Sequence, residues 1–171
     1  FIESNNLPFV SSWNGMNFFN HNHVNYYGNI GVYGNRGANF ILQSCDRLLV
    51  LGSRLDNRQR GNVKKFAANA NVLVIDIDQG ELDKHKNNPN HQMIQMDFCN
   101  LHEIIDALSV DGDLNPSWGE YRSKIKDKYF TDWPSSSAEK YNSLSPYDVV
   151  KKINSLIKED AVVTVDDGAN L

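Results

Sequence analysis

The stretch RLDNRQRG, Arg54 to Gly61, sets Arg54, Asp56, Arg58 and Arg60 on alternate residues directly after the apolar run RLLVLGS, which ends in Gly52 and Ser53. Two further apolar runs end in acids: NVLVIDID supplies Asp76 and Asp78, and QMIQMD supplies Asp97. Guanidinium forks suit phosphate, and a carboxylate closing a neighbouring strand suits a ribose or an adenine edge. Together these residues describe a nucleotide pocket. The same charges can also pair with one another as a solvated rim, because structural ion pairs gather at strand ends too. Spacing leaves both readings open.

A second stretch, YGNIGVYGNRGANF, puts Gly28, Gly31, Gly34 and Gly37 at strict intervals of three. Bare backbone of this kind lets a turn tighten or lets N–H groups approach an anion at a helix start. The spacing is not the GxGxxG dinucleotide fingerprint and does not follow the first strand directly, which argues against a free-standing oxidoreductase. The HNH triplet, His21 to His23, lacks a nearby Cys or carboxylate cluster and reads as surface histidines. Ser11, Ser12 and Ser53 lack a GxSxG context for a nucleophile.

These residues need a scaffold. Apolar runs bounded by turn residues predict strands at Leu7 to Ser12, Arg47 to Ser53, Asn71 to Asp78, Gln92 to Asp97 and Ala161 to Asp167. Continuous rather than alternating hydrophobicity in the second, third and fifth predicts parallel strands covered on both faces. Helices are expected between them. Asn100 with Glu103 caps LHEIIDAL, and Asn115 before Pro116 and Ser145 before Pro146 pair a capping side chain with a first-turn proline. In SPYDVVKKINSLIKED, Val149, Ile153, Leu156 and Ile157 share one face. Trp118, Tyr121, Ile125 and Tyr129 form an aromatic stripe expected to pack on the sheet. The prediction is an α/β fold, a Rossmann-like, doubly wound parallel sheet.

Totals agree with that. A chain of 171 residues hides about 70% of its unfolded surface on folding. With 40% hydrophobic and 22% charged residues it has the composition of a globular domain. The net charge of -4 gives no basic footprint for nucleic acid, and no run reaches the ~20 apolar residues of a membrane span. Two cysteines, Cys45 and Cys99, without a CxxC pair read as reduced thiols of a cytoplasmic protein. YFTDWPSSSAEKYNSLS reads as a linker, dividing residues 1–128 from a short segment, 146–171, across 129–145. The opening FIESNNLPF has the look of a helix tail entering a strand, so a cut piece of a longer protein is expected.

In this order, LPFVSSWNGM, GVYGNRGANFILQSCDRLLVLGSRLDNRQRG, FAANANVLVIDIDQGEL and the short strand ending in Asp97 resemble the central domain of thiamine-diphosphate-dependent enzymes of the acetolactate synthase type. The tail SPYDVVKKINSLIKEDAVVTVDDGANL resembles that family's entry into its C-terminal, diphosphate-binding domain. The resemblance implies a three-domain parent in which the cofactor's thiazolium C2 attacks a 2-oxo acid, carbon dioxide leaves, and the product adds to an acceptor carbonyl. It implies thiamine diphosphate and Mg2+ in the parent, with the activating glutamate and the metal-binding GDG motif outside these residues, so the isolated piece is expected to be inactive. A homodimer or homotetramer is implied.

Family members differ in the central domain: some bind FAD there, others bind no flavin or another nucleotide. By position, Arg54, Asp56, Arg58, Asp76, Ile77, Asp97 and Phe98 match places that touch the flavin nucleotide in FAD-bearing relatives. The glycine loop matches the segment near the isoalloxazine ring, with Arg36 near the expected His. Asp167, Gly168, Ala169 and Asn170 match the diphosphate contacts, with Ala and Asn where the family carries Gln and His. The shorter loop and altered tail resemble relatives acting on other 2-oxo acids, including those of sugar or polysaccharide pathways, so pyruvate is only the default substrate. A non-catalytic nucleotide-binding or structural module is the alternative.

Overall fold

A computed structural model of the chain describes residues 1–97, 101–108, 116–130, 145–158 and 160–164. Among the described residues five strands alternate with helices: β1 (Phe9–Ser11), β2 (Tyr26–Asn29), α1 (Arg36–Ser44), β3 (Arg47–Leu51), α2 (Asn57–Arg60), β4 (Asn71–Asp76), α3 (Gln79–Asp83), β5 (His91–Gln95), α4 (Leu101–Ala107), α5 (Pro116–Tyr129) and α6 (Pro146–Leu156). A 3-10 stretch, Trp13–Phe18, follows β1, with Ser12 Oγ accepting from Gly15 N at 3.2 Å. Every strand pair is parallel, as continuous apolar runs require. The strands hydrogen-bond as two sheets, β1–β2 and β3–β4–β5.

β4 is the centre of the larger sheet. Val72, Val74 and Ile75 are buried there, while β3 buries only Val50 fully and β5 is exposed at alternate positions. The register runs straight through the sheet: Leu51 lies beside Ile75, and Asp76 beside Gln95. α1 contributes Ala38, Ile41 and Leu42 to the core, the i, i+3, i+4 face of an amphipathic helix.

Several expectations change. β2 overlaps the start of the glycine-rich stretch, whose expected form is a loop; Tyr26 and Tyr27 are both buried, so strand pairing and aromatic burial override Gly28. Residues 161–164 are not in a strand, and the rest of the predicted Ala161–Asp167 strand lies outside the described residues. The first strand, Phe9–Ser11, is shorter than the expected Leu7 to Ser12, and its register with β2 shifts between Phe9 and Ser11.

The aromatic stripe of α5 packs chiefly on α1 rather than on the sheet: Tyr129 stacks on Phe40 at 5.5 Å between ring centroids, and Tyr121 Oη accepts from Ser44 Oγ at 3.0 Å. It is Arg122 and Lys126, between the stripe residues, that reach β2. Ser145 caps α6 through Tyr147 N at 3.2 Å, with Pro146 in the first turn as predicted. The caps at Asn100 and Asn115 and the thiol of Cys99 lie outside the described residues. Cys45 is half-buried, and burial pushes its thiol up to about 11.

The chain divides into two compact units, Phe1–Tyr129 and Phe130–Leu171. Among the described residues no helix is long and apolar enough to cross a membrane.

Candidate functional site

The carboxyl ends of β3, β4 and β5 form one edge. Gly52 N donates to Ile75 O at 2.9 Å and Met96 N to Asp76 O at 3.0 Å, so the ladder continues past the strands and carries Gly52, Asp76 and Asp97 onto the same rim. Gly52 turns the chain there with a positive φ of 56°, and Leu55, also left-handed at 44°, is buried beneath the loop.

On that rim Arg54 extends into solvent, its side chain 75% exposed, and its Nε and NH2 groups donate to Glu81 Oε1 at 3.0 and 2.7 Å. Glu81 is nearly buried and also takes Lys84 Nζ. The Lys84 and Arg54 hydrogen bonds hold the Glu81 carboxyl below its ordinary value, and the Glu81 bond and charge raise Arg54 above its own.

The acids next to Arg54 do other work. Asp56 caps α2 by accepting from Gln59 N at 2.9 Å, Asp78 caps α3 through Gly80 N at 2.7 Å, and buried Asp76 accepts from Asp78 N at 2.9 Å. Ile77 is exposed, and its carbonyl accepts from Gln95 Nε2 at 3.2 Å. Arg58 is exposed on α2, and Asp97 is exposed just past β5. Arg36 is exposed at the first residue of α1. Phe98, Asp167, Gly168, Ala169 and Asn170 lie outside the described residues.

Glu81 was not singled out in the sequence. The signal was present: Asp78-x-x-Glu81 has capping-box spacing. In the structure the carboxylate turns to Arg54 and Lys84.

The glycine loop is sealed by its own chain. A Cβ on Gly31, φ 111°, would lie 2.6 Å from Arg58 O, and one on Gly34 would lie 2.4 Å from Asn29 O. Asn39 closes the turn in both directions, accepting from Gly31 N and donating to Gly31 O at 2.9 Å each. Val32 N donates to Arg58 O at 2.8 Å, tying this loop to α2. The bare positions serve that close packing. The tip is different: Val32 and Tyr33 are exposed.

His21 is exposed beside the Tyr26 ring, and His23 Nε2 lies 3.1 Å from Glu3 Oε1. Among the described residues no three His, Cys, Asp or Glu side chains cluster as metal ligands.

Parallel strands alternating with helices, with polar residues at their carboxyl edge, make an α/β arrangement. A comparison with protein families matches residues 1–100 to the family described as thiamine pyrophosphate enzyme, central domain. The chain belongs to that family. Its relatives include the acetolactate synthase isozyme 2 large subunit of Escherichia coli K12, 28% identical over 169 residues covering 98% of this chain and 29% of that protein. The acetolactate synthase isozyme 1 large subunit of the same organism is 30% identical over 141 residues, 82% of this chain and 24% of that protein. The acetolactate synthase large subunit of Lactococcus lactis is 31% identical over 176 residues, 98% of this chain and 28% of that protein. This thiamine pyrophosphate enzyme domain therefore spans less than a third of the length of the curated relatives it matches, between 24% and 29% for these three.

Proposed function

We propose that the chain is the central domain, with the start of the C-terminal domain, of a thiamine-diphosphate-dependent carboligase or decarboxylase of the acetolactate synthase type, acting on pyruvate or a related 2-oxo acid. The observation that carries this reading is similarity to acetolactate synthase large subunits over 98% of the chain for isozyme 2. In this reading residues 1–128 are the central domain, 129–145 the linker and 146–171 the threshold of the diphosphate-binding domain. The parent is a cytoplasmic homodimer or homotetramer, and the piece alone is inactive. Thiamine diphosphate supplies the electron sink of the reaction when bound. Asp167, Gly168, Ala169 and Asn170 are the residues of this chain proposed to lie near its diphosphate.

For a nucleotide such as FAD in the central domain, exposed Arg54 and Arg58 suit a diphosphate. The acids suit it less: Asp56, Asp76 and Asp78 already accept backbone N–H groups. Those commitments favour a second reading, in which the rim is structural and no flavin binds.

Two measurements on the complete enzyme separate these statements. Pyruvate turnover with thiamine diphosphate and Mg2+ tests the family activity; a full-length protein that consumes neither pyruvate nor any other 2-oxo acid would refute it. Flavin absorbance of the purified protein tests the nucleotide: a yellow enzyme that loses its colour in Arg54→Ala supports the pocket, and a colourless, fully active one supports the structural rim.

A further inference from the structure

The turn that follows β1 holds a chemically labile pair. Asn14–Gly15 is the one Asn-Gly step in the sequence. Asn14 is exposed in the 3-10 stretch Trp13–Phe18. In such a pair the main-chain nitrogen of the glycine is within intramolecular reach of the asparagine side-chain carbonyl carbon, and without a Cβ nothing shields that nitrogen. Asparagine counts among the thermolabile residues. Asn17, Asn20 and Asn22 are exposed too, yet they precede Phe18, His21 and His23, whose side chains crowd the corresponding nitrogen.

The fold restrains that nitrogen. Gly15 N donates to Ser12 O at 3.0 Å and to Ser12 Oγ at 3.2 Å, so its hydrogen is shared between two acceptors. Attack on the Asn14 side chain requires the 3-10 turn to open and both bonds to be given up. The glycine itself is not demanded by the backbone. Its φ is not positive, and an added Cβ would lie 3.2 Å from Ser12 Oγ, the end of a side chain that rotates.

We propose that Asn14 is a site of spontaneous deamidation whose rate is set by the Ser12 clasp on Gly15 N. In the first step Gly15 N gives up its proton and bonds to Asn14 Cγ. The Cγ–Nδ2 bond breaks, and the side-chain nitrogen leaves with that proton as ammonia. Water then adds across one or the other carbonyl–nitrogen bond of the cyclic imide, giving aspartate or isoaspartate. Either product places a negative charge at the carboxyl end of β1, and isoaspartate also inserts a carbon into the main chain of the turn. The change reaches the glycine loop, because Ser11 O at the foot of the turn accepts from Ile30 N at 3.0 Å, one residue before Gly31. The site does not rest on a thiamine-dependent activity.

The test incubates the folded 171-residue chain in neutral buffer at physiological temperature and follows the peptide carrying Asn14 by mass and by enzymatic methylation of isoaspartyl groups. Conversion at Asn14 ahead of Asn17, Asn20 and Asn22 is expected, with isoaspartate among the products. Ser12→Ala removes one of the two acceptors and should speed conversion about fivefold. Because Ser12→Ala could loosen the turn in other ways, Ser12→Thr is the companion: it keeps the hydroxyl and should keep the native rate. Gly15→Ala, which shields the nitrogen, should suppress conversion. No conversion at Asn14 in the folded chain, aspartate without isoaspartate, an unchanged rate in Ser12→Ala, or the same acceleration in Ser12→Thr would overturn the proposal.

Discussion

Two regions of the molecule use an arginine in opposite ways. At the seam between α5 and β2, Arg122 is only 8% exposed and donates to three neutral acceptors: Tyr27 Oη at 3.3 Å, Asn6 O at 2.9 Å and Asn25 Oδ1 at 2.7 Å. Lys126 joins it, bonded to Tyr26 O and placed 4.6 Å from the Tyr27 ring centroid; burial, and then the Arg122 charge, lower its affinity for a proton. At the rim, Arg54 meets a carboxylate, and its side chain is 75% exposed. A buried cation satisfied by fixed neutral acceptors is a fastener, because nothing can replace those acceptors without unfolding the seam. An exposed guanidinium in an ion pair contributes little to stability, and an incoming anion can compete for it. The difference teaches that depth and partner type, not residue type, separate the structural arginine from the one available to a ligand.

The sharpest way to break this contrast is Arg122→Ala. It strands Asn25, Tyr27 and the Asn6 carbonyl and should cost about 3 kcal/mol, roughly 10 °C in Tm for a chain of this size. Thermal unfolding of Arg122→Ala beside Arg54→Ala checks it; equal losses would erase the distinction between seam and rim.

Next in size is Gly31→Ala. The added Cβ meets Arg58 O in a left-handed backbone conformation, and the expected loss is about 2 kcal/mol. Faster proteolysis between Val32 and Asn35 should accompany it. A neutral Gly31→Ala would mean that the glycines wait for a ligand instead of sealing the loop.

A smaller effect depends on pH. His85 Nδ1 and His91 Nδ1 are 2.8 Å apart, and Asn88 Nδ2 lies 2.8 Å from His91 Nε2. Burial holds both imidazoles below the ordinary 6.5; His91, Arg60 and Lys84 lower His85 further while Glu81 opposes, and Arg60 lowers His91. The unfolded chain then takes up protons at a higher pH than the native state does. The stabilising effect of the neutral pair is complete above pH 6.5 and is lost as the pH falls below it through the native values. Tm should drop on acidification through that window, and the drop should be shallower in His85→Gln/His91→Gln; identical slopes would refute the assignment.

The smallest stability effect belongs to the rim. Arg54→Gln/Arg58→Gln should leave Tm nearly unchanged while lowering retention of any nucleotide diphosphate by the full-length enzyme, measured by equilibrium dialysis. A large fall in Tm would make the rim a fastener like the seam.

Local features were readable because their partners lie a few residues apart. Ser145 capping Tyr147 follows from a side chain that reaches only the next turn. The strand-end placement of Arg54, Asp76 and Asp97 follows from where apolar runs stop. Less legible was β2, since Gly28 and the glycines after it read as loop and only pairing with β1 makes it a strand. The choice of Glu81 over the nearer acids as the partner of Arg54 was hidden for a similar reason: Asp56 and Asp78 are spent on caps, and α3 brings in a carboxylate from 27 residues away.

By itself, then, the order of apolar runs, turns and caps determined a parallel α/β domain and which polar residues stand at the strand ends. Only the tertiary structure decided what each charge does. Arg122 meets Asn6 across 116 positions, and Gly31 meets Arg58 through packing of the glycine loop on α2. Hydrogen bonds within a turn are fixed by spacing along the chain, whereas burial and long-range pairing exist only once the elements have packed.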